Sequence, residues 1–492
     1  QPPAGVAHVF LEPVEDPLGD VVGRYARTHG PFTVGDAAGA LFIPAGIVET
    51  VLRQLEGKGR VDVGAFRPGG QGREWVDREV LRRLKRRSLA VLRREIEPVS
   101  PAALAAFTVA WQGVREEPPR GQTALIDALT RLTGSVIPAS VLERDVLASR
   151  VEDPGPLLDR LLLEGDLVWI GHGGLGTSDG RIGLYPRSML GVLWRGPGDM
   201  PDSPEAIAIF EFLGARGASF FRDIYNETGG GDPDLLLDSL WDLVWSGHVT
   251  NDTLAPVRAL ALRRMTRSAG KRALSSQFPA HAAGRWSLTT NLTRGQPTDT
   301  ERHAAWAQLM LDRHGVLSRT AVLAEGYPGG FSALYPVLSH LEETGRIRRG
   351  YFVEGLGGSQ FALPGAVDRL RAEPAQELTV LAATDPANPY GAALPWPDVD
   401  ETRLARDAGA YVFLWGGALI GYLDKGRRNL TVLAEDTSAH GHLGRGLATI
   451  ASRHRRTVVN TVNGRPAPKS PLAPTLAEWG FATAPKGLTY RG

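Results

Sequence analysis

Leu157-Leu158-Asp159-Arg160-Leu161-Leu162-Leu163-Glu164-Gly165-Asp166-Leu167-Val168-Trp169-Ile170, with His172-Gly173-Gly174 behind it, is the stretch on which the fold turns. Leucines three and four apart set an apolar stripe on one helix face, and Gly165 offers the left-handed residue that ends the helix. Leu167 to Ile170 then read as a short strand entering a glycine-rich turn. The unit recurs on both sides. Val51 to Gly59 leads into Val61 and the Gly69-Gly70 turn ahead of Glu74-Trp75; Leu235 to Gly247 leads into Val249; Val337 to Gly345 leads into Ile347 and the Gly357-Gly358 turn. A helix closed by Gly and followed by a hairpin is the third helix and wing of a winged helix-turn-helix, and shorter helices upstream complete the pattern. Pro17 to Thr28 and Val34 to Leu41 precede the first copy, with Pro44 in the first turn of its third helix. Asp299 or Thr300 caps a helix through Asp312 before the fourth copy, and Ser318 caps the next. A helical-repeat solenoid is the competing architecture, and it would lack strands after Gly59, Gly165 and Gly345.

The expected fold class is therefore α+β, with tandem winged-helix modules followed by a small β-barrel. The expected divisions are a first winged helix plus a basic connector helix (1–98), a second (99–198), a third (199–262), a linker (263–298) and a fourth (299–372). A barrel spans 373–462, where helical periodicity gives way to strands at Leu378–Ala382, Ala410–Trp415, Ala418–Leu423 and Asn429–Leu433, with Gly416-Gly417 as a hairpin turn. The remaining 463–492 is a C-terminal extension and a candidate part of a further winged helix. A length of 492 residues fits several domains, and 42% hydrophobic with 22% charged residues fits soluble globular modules rather than disorder or a fibrous repeat.

No run of eighteen apolar residues and no basic-then-apolar leader occurs, so a cytoplasmic protein without membrane contact is expected. The chain opens on Gln1 rather than Met, as a piece of a longer protein would. The absence of cysteine removes disulfides, thiolate zinc sites and a cysteine nucleophile. His440 and His442 near Glu435 and Asp436 lack a third placed ligand, so no metal site is expected. Basic and acidic residues number 55 and 54, so any nucleic-acid affinity must be local. Only six of the 55 basic residues are lysine, an arginine bias that weakens arginine content as evidence for phosphate recognition. No Gly-x-x-x-x-Gly-Lys-Ser/Thr motif is present, and Gly441 stands where an acetyl-CoA loop wants Gln or Arg.

The wings carry the expected chemistry. Arg67 and Arg73 flank the first turn; Arg346, Arg348 and Arg349 load the fourth; Arg427 and Arg428 follow the Asp424 turn. Guanidinium groups on projecting hairpins suit DNA phosphates, whereas the plainer alternative is a solvated or protein-contacting surface. The Asp77–Glu97 helix mixes arginines with Leu81, Leu84 and Leu89, which favours a buried connector or subunit seam. Trp396 is a candidate for stacking an unpaired base. Among the carboxylates Asp385, Asp398 and Asp424, Asp385 is the candidate base for glycosidic-bond hydrolysis, although Asp before Pro386 is also a turn signature.

Leu381 to Pro397, reading Leu-Ala-Ala-Thr-Asp-Pro-Ala-Asn-Pro-Tyr-Gly-Ala-Ala-Leu-Pro-Trp-Pro, strongly resembles the large helicase-related proteins of bacteria. Ala110-Trp111-Gln112-Gly113, Gly284-Arg285-Trp286 and Arg349 to Gly355 agree with it, as does Ser470 to Pro474. The resemblance implies the region following an ATP-driven 3'-to-5' helicase core, so that ATP and magnesium belong to that core and no cofactor to this chain. That region is similar to winged-helix DNA glycosylases that unhook alkylated purines and crosslinks, whose Gln-x-Gln catalytic pattern is absent here. The implied partners are DNA, the helicase core of the same polypeptide, and further copies of the chain in a homo-tetramer. The expected function is an oligomerisation and DNA-interaction module acting in DNA repair, with excision of a damaged or uracil base as the alternative.

Overall fold

A computed structural model of the chain describes residues 15–67, 72–85, 97–266, 278–293, 295–399, 403–434, 436–454 and 457–491. The chain divides into two compact units, Gln1–Glu97 and Pro98–Gly492. Among the described residues no single helix is long and apolar enough to cross a membrane.

The first unit is one winged helix. Helices Pro17–Thr28, Val34–Leu41 and Ala45–Gly57 precede the hairpin of β1 (Val61–Gly64) and β2 (Glu74–Asp77). Val22, Leu52, Leu55, Val61 and Trp75 form its core, and Phe32 bridges to Trp75 as a third strand position. Pro44 stands at the N-cap, one residue before the helical turn expected for it. Of the expected basic helix, residues 78–85 are helical; 86–96, with Leu89 and four of the arginines and lysines, lie outside the described residues.

The second unit begins with helix Pro101–Trp111, capped by Ser100. Three winged helices follow. In the first, helices Gln122–Leu132 and Pro154–Glu164 flank a π-helical segment, Leu142–Leu147, and β3 (Ile137–Pro138), β4 (Leu167–Gly174) and β5 (Gly180–Pro186) pair in the order β3-β5-β4. In the next, helices Pro204–Arg216, Phe221–Glu227 and Pro233–Trp245 carry β6 (Ser219–Phe220), β7 (Val249–Asn251) and β8 (Arg285–Leu288). In the last, helices Asp299–His314, Arg319–Ala324 and Gly330–Glu343 carry β9 (Val316–Leu317), β10 (Arg348–Gly350) and β11 (Gln360–Ala362). The left-handed stops read from the sequence are in place, at φ +79° for Gly165, +83° for Gly247 and +72° for Gly345. The helix starting at Asp299 is capped by Thr298 in a reciprocal pair with Glu301, not by Asp299 or Thr300.

Three expectations need correction. The segment 263–298 is more than a linker. Helix Ala255–Thr266 runs into it, and its β8 lies between β6 and β7, with Trp286 fully buried against Trp241. The third module therefore closes its sheet with a strand that follows a long excursion, whose residues 267–277 lie outside the described ones. A closed barrel is not found among the described residues. Strands β12 (Leu378–Ala382), β13 (Tyr411–Trp415), β14 (Ala418–Leu423), β15 (Asn429–Val432), β17 (Thr461–Val462) and β18 (Arg465–Pro466) pair in that open order. The reason lies in β13: Val412 and Leu414 pack with helix Pro101–Trp111, while Tyr411 and Phe413 pack under helix Ala439–Arg453. Apolar residues on both faces make a covered sheet rather than a rolled one. Finally, 463–492 is no separate appendage. It supplies β18, helix Ala473–Glu478 and the hairpin β19 (Phe481–Ala484) with β20 (Gly487–Tyr490), which pairs with β16 (Val458–Val459); Leu476, Phe481 and Leu488 share the core under Ala439–Arg453.

Candidate functional site

Asp385 sits in the loop that follows β12, fully buried, and is clamped rather than poised. Its carboxylate accepts from Arg150 Nη2 at 2.7 Å, Arg150 Nη1 at 3.0 Å and the Ala387 amide at 2.8 Å. Arg150 also donates to the Gln112 carbonyl and to Gln112 Oε1, while Gln112 Nε2 donates to the Pro386 carbonyl. These bonds lock the Asp385 loop to helix Pro101–Trp111 and to the winged helix at 122–186. A base must be reached by water, and this carboxylate is fully buried and held by Arg150. The catalytic role read from the sequence for Asp385 is thus replaced by a structural one. Asp424 is a turn former, accepting from the Arg428 and Asn429 amides.

The same loop forms one wall of a cavity of about 340 Å³ through Thr384, Pro386 and Asn388. Ser135 and Arg181 of one winged helix and His314, Ser318 and Glu325 of another form the opposite walls; Arg406 and Asp407 complete it. Arg406 donates to the carbonyls of Asn388 at 2.6 Å and Asp385 at 3.0 Å, and burial draws its guanidinium down to about 10 against the pull of Asp385 and Glu325. Burial pushes the Glu325 carboxyl up, yet the Arg313 charge and His314 outweigh it and bring it down to about 2. His314 Nε2 lies 2.8 Å from Glu325, and Arg313 holds the other oxygen. Asp407 is the second carboxylate of the cavity, half-exposed, with Lys425 beside it at 3.3 Å. Ser135 Oγ and Thr384 Oγ1 are buried without a hydrogen-bond partner. The cavity thus offers donors and one accessible carboxylate, a lining suited to the polar edge of a small planar ring.

The expected DNA-binding residues divide. Arg346 and Arg348, at the passage from helix Gly330–Glu343 into β10, are exposed and pair with no acid among the described residues. Arg349 is tied down, donating to Ser359 Oγ at 2.9 Å with its guanidinium over Tyr335 and Phe361. Arg67 is likewise a wing brace: its Nε donates to buried Glu74 at 2.5 Å, and the same carboxylate accepts the Phe66 and Arg67 amides. Arg73 is exposed beside residues 68–71, which lie outside the described ones. Trp396 is no free stacking platform; it packs edge-to-face on Tyr422 at 5.8 Å, and its ring occupies the space a Cβ on Gly391 would need. Trp415 is stacked on His442 at 3.5 Å. Gly444 and Gly446 lie inside a helix against Trp479 and Phe413, so the Gly441–Gly446 run serves packing. Arg427 is half-buried in the turn between β14 and β15, and Arg428 beside it is exposed. The cavity-lining Asp407 and Arg406 were missed because nothing distinguishes Leu404-Ala405-Arg406-Asp407 from any other loop in the sequence.

The winged-helix domain of large helicase-related proteins matches this chain twice, as the fourth such domain over residues 296–380 and the third over 99–187. These modules belong to the large helicase-related family. The module spanning 204–288 lies between the two matches. A Mycolicibacterium smegmatis protein named Lhr helicase/probable uracil glycosylase is 39% identical over 99% of this chain and 35% of its own length. An Escherichia coli K12 protein named Lhr helicase/uracil glycosylase is 34% identical over 99% of this chain and 34% of its own length. The chain thus spans about a third of each of these relatives. The solved DNA glycosylase AlkZ of Streptomyces sahachiroi aligns with 71% of this chain and 97% of its own at 14% identity and a TM-score of 0.43, a likeness too slight to carry an argument.

Proposed function

We propose that this chain is the DNA-engaging region of a helicase-linked repair protein. In this reading it follows a 3'-to-5' motor that holds the ATP and magnesium, works in the cytoplasm, and assembles as a homo-tetramer. The observation that carries the reading is the pair Arg346 and Arg348, exposed and without acidic partners among the described residues, at the base of a wing whose domain matches the family. Exposed guanidinium groups on a rigid hairpin neutralise phosphates at little reorganisation cost. Replacing both with Ala should weaken DNA binding without sequence preference; unchanged affinity and salt dependence would remove the support.

A second reading, excision of uracil or a damaged base, is favoured by the cavity. Its volume of about 340 Å³ admits one nucleobase turned out of the stack, and Asp407 can accept a proton from the attacking water. Both relatives carry uracil glycosylase in their names. The test is incubation with uracil-containing oligonucleotides scored for abasic sites. Excision by the wild type that is lost in Asp407→Asn supports the reading; excision untouched by that change places the chemistry elsewhere.

A further inference from the structure

One wall of the cavity holds a pair of side chains that the excision reading leaves unused. His314 ends the helix Asp299–His314 and Glu325 caps the helix Arg319–Ala324, so two rigid elements set them against each other. His314 Nε2 lies 2.8 Å from Glu325 Oε1, and the other carboxylate oxygen accepts from Arg313 Nη1. Arg313 is fully buried and fixed in turn, donating from Nε to the Arg131 carbonyl at 2.9 Å and from Nη2 to that of Thr133. Against the push of burial, the Arg313 charge brings the Glu325 carboxyl down to about 2, so it is ionised at neutral pH. An ionised carboxylate only accepts, so His314 donates to it from Nε2.

A neutral imidazole carries one ring proton, and with that proton on Nε2 the Nδ1 atom is an acceptor. Nδ1 has no hydrogen-bond partner among the described residues, and it is not one of the polar atoms shut away from solvent. His314 is 14% exposed and lines the cavity beside Glu325, so the space open to Nδ1 is the cavity itself. Turning the ring over would break the Glu325 bond, which fixes the acceptor in place. The other side chain of the lining that could serve as donor or acceptor, Asn388, is spent on the Ala383 carbonyl and the Tyr390 amide.

We propose that His314 Nδ1 reads the ring nitrogen of an extruded base, and that the cavity takes bases carrying N–H at that position: uracil, and hypoxanthine with it. Deamination turns cytosine N3 and adenine N1 from acceptors into N–H donors beside the new carbonyl. A fixed acceptor bonds the deaminated base and faces the lone pair of its parent, which leaves two acceptors opposed in a site shielded from water. Thymine and guanine carry the same N–H, so the contact separates a deaminated base from its parent and not from those two. The inference rests on the reading of this cavity as an excision site and adds to it a substrate class and the residue that selects it.

The first measurement is nitrogen NMR of the His314 ring in the full chain at the pH of the excision assay. Nε2 should carry the proton and Nδ1 none; a proton on Nδ1 overturns the proposal. The second is excision from single-stranded oligonucleotides carrying uracil, hypoxanthine or N3-methyluracil, scored for abasic sites, so that no base pair has to be broken first. The wild type should act on uracil and hypoxanthine and should prefer uracil to N3-methyluracil, whose methyl group replaces the proton, by about 10-fold or more. In His314→Ala that preference should disappear, whereas a merely structural role would slow every substrate alike. Excision of uracil without hypoxanthine, N3-methyluracil excised as fast as uracil by the wild type, or a preference kept in His314→Ala overturns the proposal and leaves the excision reading standing. No abasic site from any of the three in the wild type overturns that reading and the proposal with it.

Discussion

Asp385→Ala removes one partner from a buried ion pair whose geometry is fully defined. Asp385 is 0% exposed and the Arg150 side chain 1%, with two charged hydrogen bonds at 2.7 and 3.0 Å. Water cannot reach the abandoned guanidinium, whose remaining contacts are neutral oxygens of Gln112, Val146 and Ser149. Breaking such a pair costs about 3–5 kcal/mol, and loss of the acceptor for the Ala387 amide adds to it. Asp385→Asn, which keeps an oxygen for that amide, should cost less. The assay is urea unfolding followed by tryptophan fluorescence, with Arg150→Met alone and combined with Asp385→Ala. The double variant should be less destabilised than the sum of the singles by about 2 kcal/mol or more, since the pair is removed only once. A loss under about 1 kcal/mol for Asp385→Ala refutes the structural role. Excision abolished in a fully stable Asp385→Asn would restore the catalytic one.

Arg349→Ala should lower stability through lost contacts with Tyr335 and Ser359, whereas Arg346→Ala with Arg348→Ala should leave the melting temperature in place and flatten the DNA salt slope by about 2. Glu325 has a folded pKa of about 2 against an ordinary 4.5. Its contribution, on the order of 3 kcal/mol, is therefore present above pH 4.5 and lost as pH falls toward 2; acid unfolding of Glu325→Gln should lack that part of the slope. Gly417 has φ +86°, and a Cβ there would meet the Ala102 carbonyl at 2.0 Å, so Gly417→Ala should cost about 1–3 kcal/mol or more by thermal denaturation.

Periodicity made the winged helices legible. The stops at Gly165, Gly247 and Gly345 each need a left-handed residue, and that need is written into the sequence as glycine. What failed was long range. Trp286 joins a sheet whose partners lie more than thirty residues upstream, across a stretch with no periodicity, so 263–298 read as a linker. The barrel failed for a related reason: strand alternation shows which residues are apolar but not that helices 101–111 and 439–453 cover opposite faces. For the site, residue type alone cannot separate braced arginines from free ones. Arg67 and Arg349 are spent on Glu74 and Ser359, while Arg346 and Arg348 remain available. Asp385 was found by its motif, and only the position of Arg150, 235 residues away, shows what its charge is for.

Equilibrium binding of the chain to labelled duplex DNA, followed by fluorescence anisotropy between about 50 and 200 mM salt, tests the central claim that this region itself engages DNA. Contacts from Arg346 and Arg348 predict a log–log slope of about −2 and affinity that falls with salt. A slope near zero, or no binding at the lowest salt, would contradict it.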